Sequence, residues 1–352
     1  MPQTQLPSRT ITIDGLGFPF PARDLLERWH KGRVSCLNAC VTIWGDTRQT
    51  LTLIGRWQRL LAENSDIAAQ ATSAEEIVVI AASGRVAVVL GFQNTSPIEH
   101  DIELFGVFRR LGVCIMQLTY NLQNYIGSGC WEERDSGISS QFGRKAIVEM
   151  NALGILIDLS HCGDRTTLEA IDSSARPVAI THGNPREFVG TSGFGTHRLR
   201  STEAIKALAT RRGVIGLSPN PHMLRRREQT TIREFCDMVH WTLDRVGVEH
   251  VGIGSDYCPG HPPGTRRNWR YGLWSRDEIK QVIAEPGEAW QDWMKTAADF
   301  QVLREGLEAS GLKTEDVDRI MGGNFLRLFG ESFIPHEQGA EVRAPEKMAG
   351  VQ

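Results

Sequence analysis

Short runs of apolar, mostly β-branched residues alternate along this chain with longer stretches whose apolar positions return every three or four residues. The runs fall at 10–14, 34–41, 86–92, 113–119, 155–159, 177–181, 214–217 and 251–254. Most are apolar throughout, as parallel strands covered on both faces should be. The stretches between and after them, 22–30, 47–63, 74–82, 98–111, 143–153, 166–173, 203–212 and 232–246, carry the period of amphipathic helices. Such unbroken alternation predicts repeated βα units and a parallel sheet. Eight of each match a closed (β/α)8, or TIM, barrel in number, whereas an open doubly wound sheet usually stops at about five to seven strands. Beyond residue 256 a Pro/Gly-rich loop leads into a C-terminal helical extension, with helices expected at 276–283, 288–310 and 314–319. The reading is one barrel domain over 1–335 and a polar, aperiodic tail over 336–352.

Composition agrees with one large core, since 41% of the 352 residues are hydrophobic and 23% charged. Net charge is −3 and no basic stripe with interleaved aromatics occurs, which argues against a nucleic-acid partner. No stretch approaches the roughly eighteen apolar residues needed to cross a bilayer, and the first residues lack the order of a secretory signal. A cytoplasmic chain without a membrane partner is therefore expected. The seven cysteines form an odd set without a C-x-x-C pair, which fits reduced thiols better than a disulfide framework or a zinc knuckle. Cys36 and Cys40 share one face of a strand and read as buried thiols, Cys36 being a secondary nucleophile candidate.

In a barrel the loops after the strands build the site, so polar residues at strand ends are the first candidates. They are Asn38 late in the second strand, Gln93 and Asn94 after the third, Thr119, Tyr120 and Asn121 after the fourth, and Asp158, Ser160 and His161 at the fifth. Thr181 and His182 end the sixth, Ser218 the seventh, and Ser255 and Asp256 the eighth. His161 and His182, each just past an apolar run on neighbouring strands, can converge on one point as metal-binding imidazoles must. Asp256 can join them as a third ligand, a proton acceptor or a holder of a substrate ammonium group.

Asp158-Leu-Ser-His161, Thr181-His182-Gly-Asn184, Val251-Gly-Ile-Gly-Ser-Asp256 and Gly322-Gly-Asn-Phe-Leu-Arg327 together resemble the motifs of the membrane (renal) dipeptidase family of the metal-dependent amidohydrolases. Leu118-Thr-Tyr-Asn121, residues 143–151 and Thr202-Glu-Ala-Ile205 strengthen the resemblance, which spans nearly the whole barrel. It implies a hydrolase of small dipeptides with two zinc ions. The family holds them with a His-x-Asp on the first strand, a bridging Glu after the third, and one His each after the fifth and sixth. Here Asp14-Gly15 resembles the start of the first motif, but Leu16 and Phe18 stand where its histidine and aspartate belong, and Gln93 replaces the bridging glutamate. Neither apolar side chain can bind zinc, and losing the glutamate removes the charge that holds two cations together. A two-metal centre is thus not expected. One divalent metal, zinc by donor type, remains, held by His161 and His182 with a third ligand from Asp256 or Gln93.

Tyr120 stands where the family has a histidine that stabilises the reacting carbonyl oxygen, and its hydroxyl can donate to a developing oxyanion. The resemblance makes Arg198 the grip on a substrate carboxylate, with Arg200 as the alternative two residues on. The loop at 127–135 offers Glu132, with Glu133 and Asp135, to a cationic substrate group, and Trp131 as a wall. Trp274, Trp290 and Trp293 crowd the region after the eighth strand, as a lid, a subunit contact or plain helix packing.

The first functional expectation is a hydrolase of dipeptide-like substrates with a single metal, in which Asp256 shuttles the proton and Arg198, Asn38, Gln93 and Glu132 contact the substrate. The alternatives are a metal-poor barrel that binds a small molecule, and lyase or deaminating chemistry on an amino-acid derivative. A homodimer is the assembly the resemblance suggests.

Overall fold

The computed structural model describes residues 10–190, 196–261 and 290–335. Among the described residues nine parallel strands are present: β1 (Ile13–Gly17), β2 (Cys36–Thr42), β3 (Ala68–Gln70), β4 (Val86–Phe92), β5 (Val113–Gln117), β6 (Leu156–Asp158), β7 (Ala179–Ile180), β8 (Val214–Leu217) and β9 (Val251–Ile253). Eight of them follow one another as β1-β2-β4-β5-β6-β7-β8-β9. The ends meet through a parallel bridge between Gly17 and Tyr257, reinforced where Asp256 N donates to the Leu16 carbonyl and Phe18 N to the Tyr257 carbonyl, both at 2.9 Å. The fold is the expected (β/α)8 barrel, with helices between successive strands.

The sequence pattern missed β3. Ala-Ala-Gln has no β-branched residue, and it is a strand because Ala68 to Gln70 lie in register with Val86 to Val88 at the lower half of β4, below the residues that pair with β5. The pattern also made β7 too long. Thr181 ends the apolar run, but its N–H goes to the Asp158 carboxylate at 3.0 Å instead of the ladder. In the C-terminal extension a helix was expected from 288, yet it spans Phe300–Ala309. Thr296 and Asp299 form a capping box on the short turn Ala297–Asp299 that precedes it, so the chain cannot be helical earlier. The helix expected at 276–283 and the tail at 336–352 lie outside the described residues.

Two long helices start where side chains close their first turns, Thr47–Glu63 with an Asp46/Gln49 capping box and Ile232–Val246 with Thr231/Glu234. Their apolar faces join one layer of core between helices and barrel that includes Ile54, Trp57, Phe235 and Val239. A second cluster gathers Ile13, Cys36, Ala87, Val89, Cys114 and Val214 around Phe325, from the closing helix Asn324–Ser332. Asn324 anchors that helix by donating to the Val248 and Val251 carbonyls at 2.6 and 2.7 Å. Among the described residues no helix is long and apolar enough to cross a membrane.

Candidate active site

The strand ends predicted to carry chemistry do come together at one mouth of the barrel. His161 and His182 are both buried, and their Nε2 atoms face each other at 3.1 Å. Each ring is gripped at its other nitrogen: His161 Nδ1 donates to Asn121 Oδ1 at 2.7 Å, and His182 Nδ1 lies 2.9 Å from Thr181 Oγ1. Burial, then the nearby Arg198 and Arg200 charges, hold both imidazoles well below the usual histidine range; His182 adds to the effect on His161. Both are therefore neutral Lewis bases near pH 7.

Asp256 is the third member. Its Oδ1 stands 4.0 Å from His182 Nε2, and its Oδ2 accepts from Asn220 Nδ2 at 2.9 Å. Asp256 and Asn121 both adopt positive φ, 54° and 57°, a left-handed conformation that Asp and Asn tolerate better than other non-glycine residues. Space for this mouth depends on Gly216 and Gly254, where a Cβ would run into the Thr181 carbonyl.

The residues beneath these ligands were legible as strand-end and motif residues, without their partners. Asp14 accepts from Ser255 N at 2.8 Å, Ser255 Oγ at 2.6 Å, Trp29 Nε1 at 2.8 Å and Leu16 N at 3.3 Å, tying β1 to the residue before Asp256. Burial nevertheless pushes its carboxyl up to about 6. Asp158 similarly ties β6 to Thr181. Asn220 carried no sequence signal beyond its place after the seventh strand.

Arg198 and Arg200 are buried, and neither forms an ion pair among the described residues. Arg198 donates to the Ser160 carbonyl and, at 3.4 Å, to the His182 carbonyl. Arg200 donates to the Cys162 carbonyl and, at 2.9 Å, to that of His197. Arg198 thus clamps the two histidine-bearing strand ends. Arg200, together with Glu132, Cys130, Asp164, Arg186 and His197, lines an adjoining cavity of about 460 Å³. Glu132 accepts from Gln123 N at 2.6 Å. Asp135 caps the helix Asp164–Ser173, accepting from Arg165 N and Thr166 Oγ1 at 2.7 and 2.8 Å, which is a structural task.

On the opposite side, Leu16, Phe18, Cys40, Ile43 and Tyr120 form a separate apolar cluster with Trp44 and Cys258 packed against it. Tyr120 stacks on His161 with ring centroids 4.0 Å apart and meets the edge of Trp44 at 6.0 Å. Gln93 is buried against the Cys40 thiol. Asn38 donates to the Gly15 carbonyl at 2.7 Å, so its amide joins β2 to β1. Burial pushes Cys40 up to about 12 and Cys36 higher still, so neither is a thiolate and Cys36 is no nucleophile. No disulfide joins any of the seven cysteines. Among the described residues no three His, Cys, Asp or Glu side chains are gathered closely enough to hold a metal ion. The histidine pair with Asp256 comes nearest in donor chemistry, two neutral imidazoles and a carboxylate, donor types that suit a divalent metal ion.

Fold and site together define the class, a parallel (β/α)8 barrel with its polar centre at the C-terminal ends of the strands. The chain belongs to the membrane dipeptidase family, peptidase family M19, whose model matches residues 26–271. It is similar to an amidohydrolase from Pseudomonas aeruginosa of known crystal structure, with 30% identity, a TM-score of 0.86, and 92% of this chain and 97% of that one covered. The probable dipeptidase PvdM from the same organism shares the fold at 18% identity and a TM-score of 0.77, covering 94% of this chain and 97% of its own. The dipeptidase tcpJ of Claviceps purpurea is 28% identical over 289 residues, 81% of this chain and 60% of that protein. The chain spans about three fifths of the length of the first curated relatives it matches.

Proposed function

We propose that this chain is a dipeptidase-like metallohydrolase that cleaves an amide bond in a small dipeptide-like or amino-acid-derived substrate, using a single divalent cation held by His161 and His182. The observation that carries the reading is the approach of the two neutral imidazole nitrogens to 3.1 Å. Two zinc–nitrogen bonds of about 2.0–2.1 Å at a tetrahedral angle separate their nitrogens by only slightly more. When bound, the cation supplies Lewis acidity, polarising the scissile carbonyl and acidifying water.

The rest falls to the chain's own groups. Asp256 Oδ1, on the His182 side of the mouth and steadied by Asn220, accepts the proton of the attacking water and returns it to the leaving amine. Tyr120 covers one face of His161 and directs its hydroxyl to the developing oxyanion. The positive charge of Arg198 and Arg200, without an ion pair among the described residues, draws the substrate carboxylate, while Glu132 on the adjoining cavity faces a cationic group. The side chains of Leu16 and Phe18, packed in the apolar cluster, support one cation rather than two, because neither carries an atom that can bind a metal.

The test is chelation followed by reconstitution with zinc, cobalt or manganese, with elemental analysis and product detection over a dipeptide panel. One equivalent per chain is expected, lost with turnover in His161→Ala and His182→Ala. Two equivalents, or none, would refute the reading. The apolar cluster also favours a second reading, binding without turnover, which would show as ligand retention with no product.

A further inference from the structure

Asp158, the last residue of β6, is buried with no cationic partner among the described residues. Ser160 N and Thr181 N donate to its Oδ1 at 3.1 and 3.0 Å, as does the Ser160 hydroxyl at 2.5 Å. Its Oδ2 accepts from the Thr181 hydroxyl at 2.6 Å. Backbone amides can only donate, so Oδ1 is an acceptor and carries no proton. Thr181, having given its single hydroxyl hydrogen to Asp158, meets His182 Nδ1 at 2.9 Å as an acceptor. The hydrogen of this contact then belongs to Nδ1, and the lone pair of His182 is on Nε2. His161 reaches the same state by another route, because the oxygen of the Asn121 amide also only accepts.

We propose that Asp158 is a positioning residue acting through Thr181: it fixes His182 as the Nδ1–H tautomer, so that His182 and His161 present two lone pairs to one point and take up a divalent cation. The inference rests on the cation reading above and names the device that makes the pair receptive. With the opposite tautomer, His182 Nε2–H would donate to His161 Nε2 across the same 3.1 Å, an ordinary hydrogen bond. The pair would close on itself, and a cation would have to break that bond to enter. A proton on Asp158 Oδ2 would reverse the relay in this way. Burial pushes the Asp158 carboxyl up, and the four hydrogen bonds oppose that push.

The experiment uses the whole chain, with zinc as the probe. Thr181→Val removes the hydroxyl at nearly constant shape, Thr181→Ser keeps it, and Asp158→Asn removes the acceptor charge; circular dichroism and thermal melts verify folding. Nitrogen-15 imidazole spectra of the metal-free protein report the tautomer, and competition against a chelator reports zinc affinity. Wild type and Thr181→Ser should show His182 with hydrogen on Nδ1, while Thr181→Val and Asp158→Asn should show it on Nε2 with zinc binding about 10- to 100-fold weaker. Wild-type His182 with hydrogen on Nε2 overturns the relay, whether or not the variants fold. Equal zinc affinity with and without the Thr181 hydroxyl also overturns it and leaves the cation reading intact. A wild type that shows the hydroxyl-dependent tautomer but binds no zinc overturns the cation reading and leaves the relay in place.

Discussion

Ionising Asp14 should destabilise this protein, although four hydrogen-bond donors point at its carboxylate. Its carboxyl moves from an ordinary 3.8 to about 6 because burial outweighs the donors from Ser255, Trp29 and Leu16. The folded chain therefore keeps a proton that the unfolded chain releases above 3.8. That contribution is fully present below 3.8 and disappears as pH rises through about 6. At about 1.4 kcal/mol per pH unit, the displacement amounts to about 3 kcal/mol. Total stability will not show it directly, since His161 and His182 act in the opposite sense: held well below 6.5, they lose stability as pH falls through that value. The assay is therefore a difference. Urea unfolding of metal-free wild type and Asp14→Asn, measured from pH 4 to 7, subtracts every group except Asp14. Hydrogen bonds lost in the asparagine variant add an offset that does not vary with pH. The stability of wild type minus variant should fall by about 2–3 kcal/mol over this range. A level difference, or one that rises with pH, would mean that the donors outweigh burial.

Two further outcomes concern the mouth of the barrel. Asp256→Asn preserves the left-handed backbone, because asparagine tolerates positive φ as aspartate does. Its melting temperature should stay close to wild type, while kcat on any substrate identified falls about 100- to 10,000-fold; unchanged turnover would remove Asp256 from proton transfer. Leu16→Ala opens the apolar cluster that backs Tyr120 and should cost about 2–5 kcal/mol in urea unfolding. A loss below about 1 kcal/mol would show that the cluster is too loosely packed to hold Tyr120 against His161.

How much of this was legible in the chain depends on how local each signal is. Strand-end polarity is local. His161, His182 and Asp256 could be picked out because each follows an apolar run, and parallel strands of one barrel bring such positions to one mouth. The departures at Leu16, Phe18 and Gln93 were equally legible, since they are substitutions within a recognisable motif. Asp135 read as one more loop acid and proved to be a helix cap, because a cap is set by where the next helix begins in space.

Sequence periodicity by itself determined the βα alternation, the count of eight barrel strands and the positions at which chemistry could sit, because burial on both faces of a strand and one face of a helix is written in neighbouring residues. Tertiary structure alone decided that Ala68 to Gln70 pair with β4, that Asn121 and Thr181 grip the two imidazoles, and that Arg198 turns to backbone carbonyls. Hydrogen bonds of that kind join residues far apart along the chain. Their partners are chosen by distances of a few tenths of an ångström, and no spacing in a linear sequence encodes those distances.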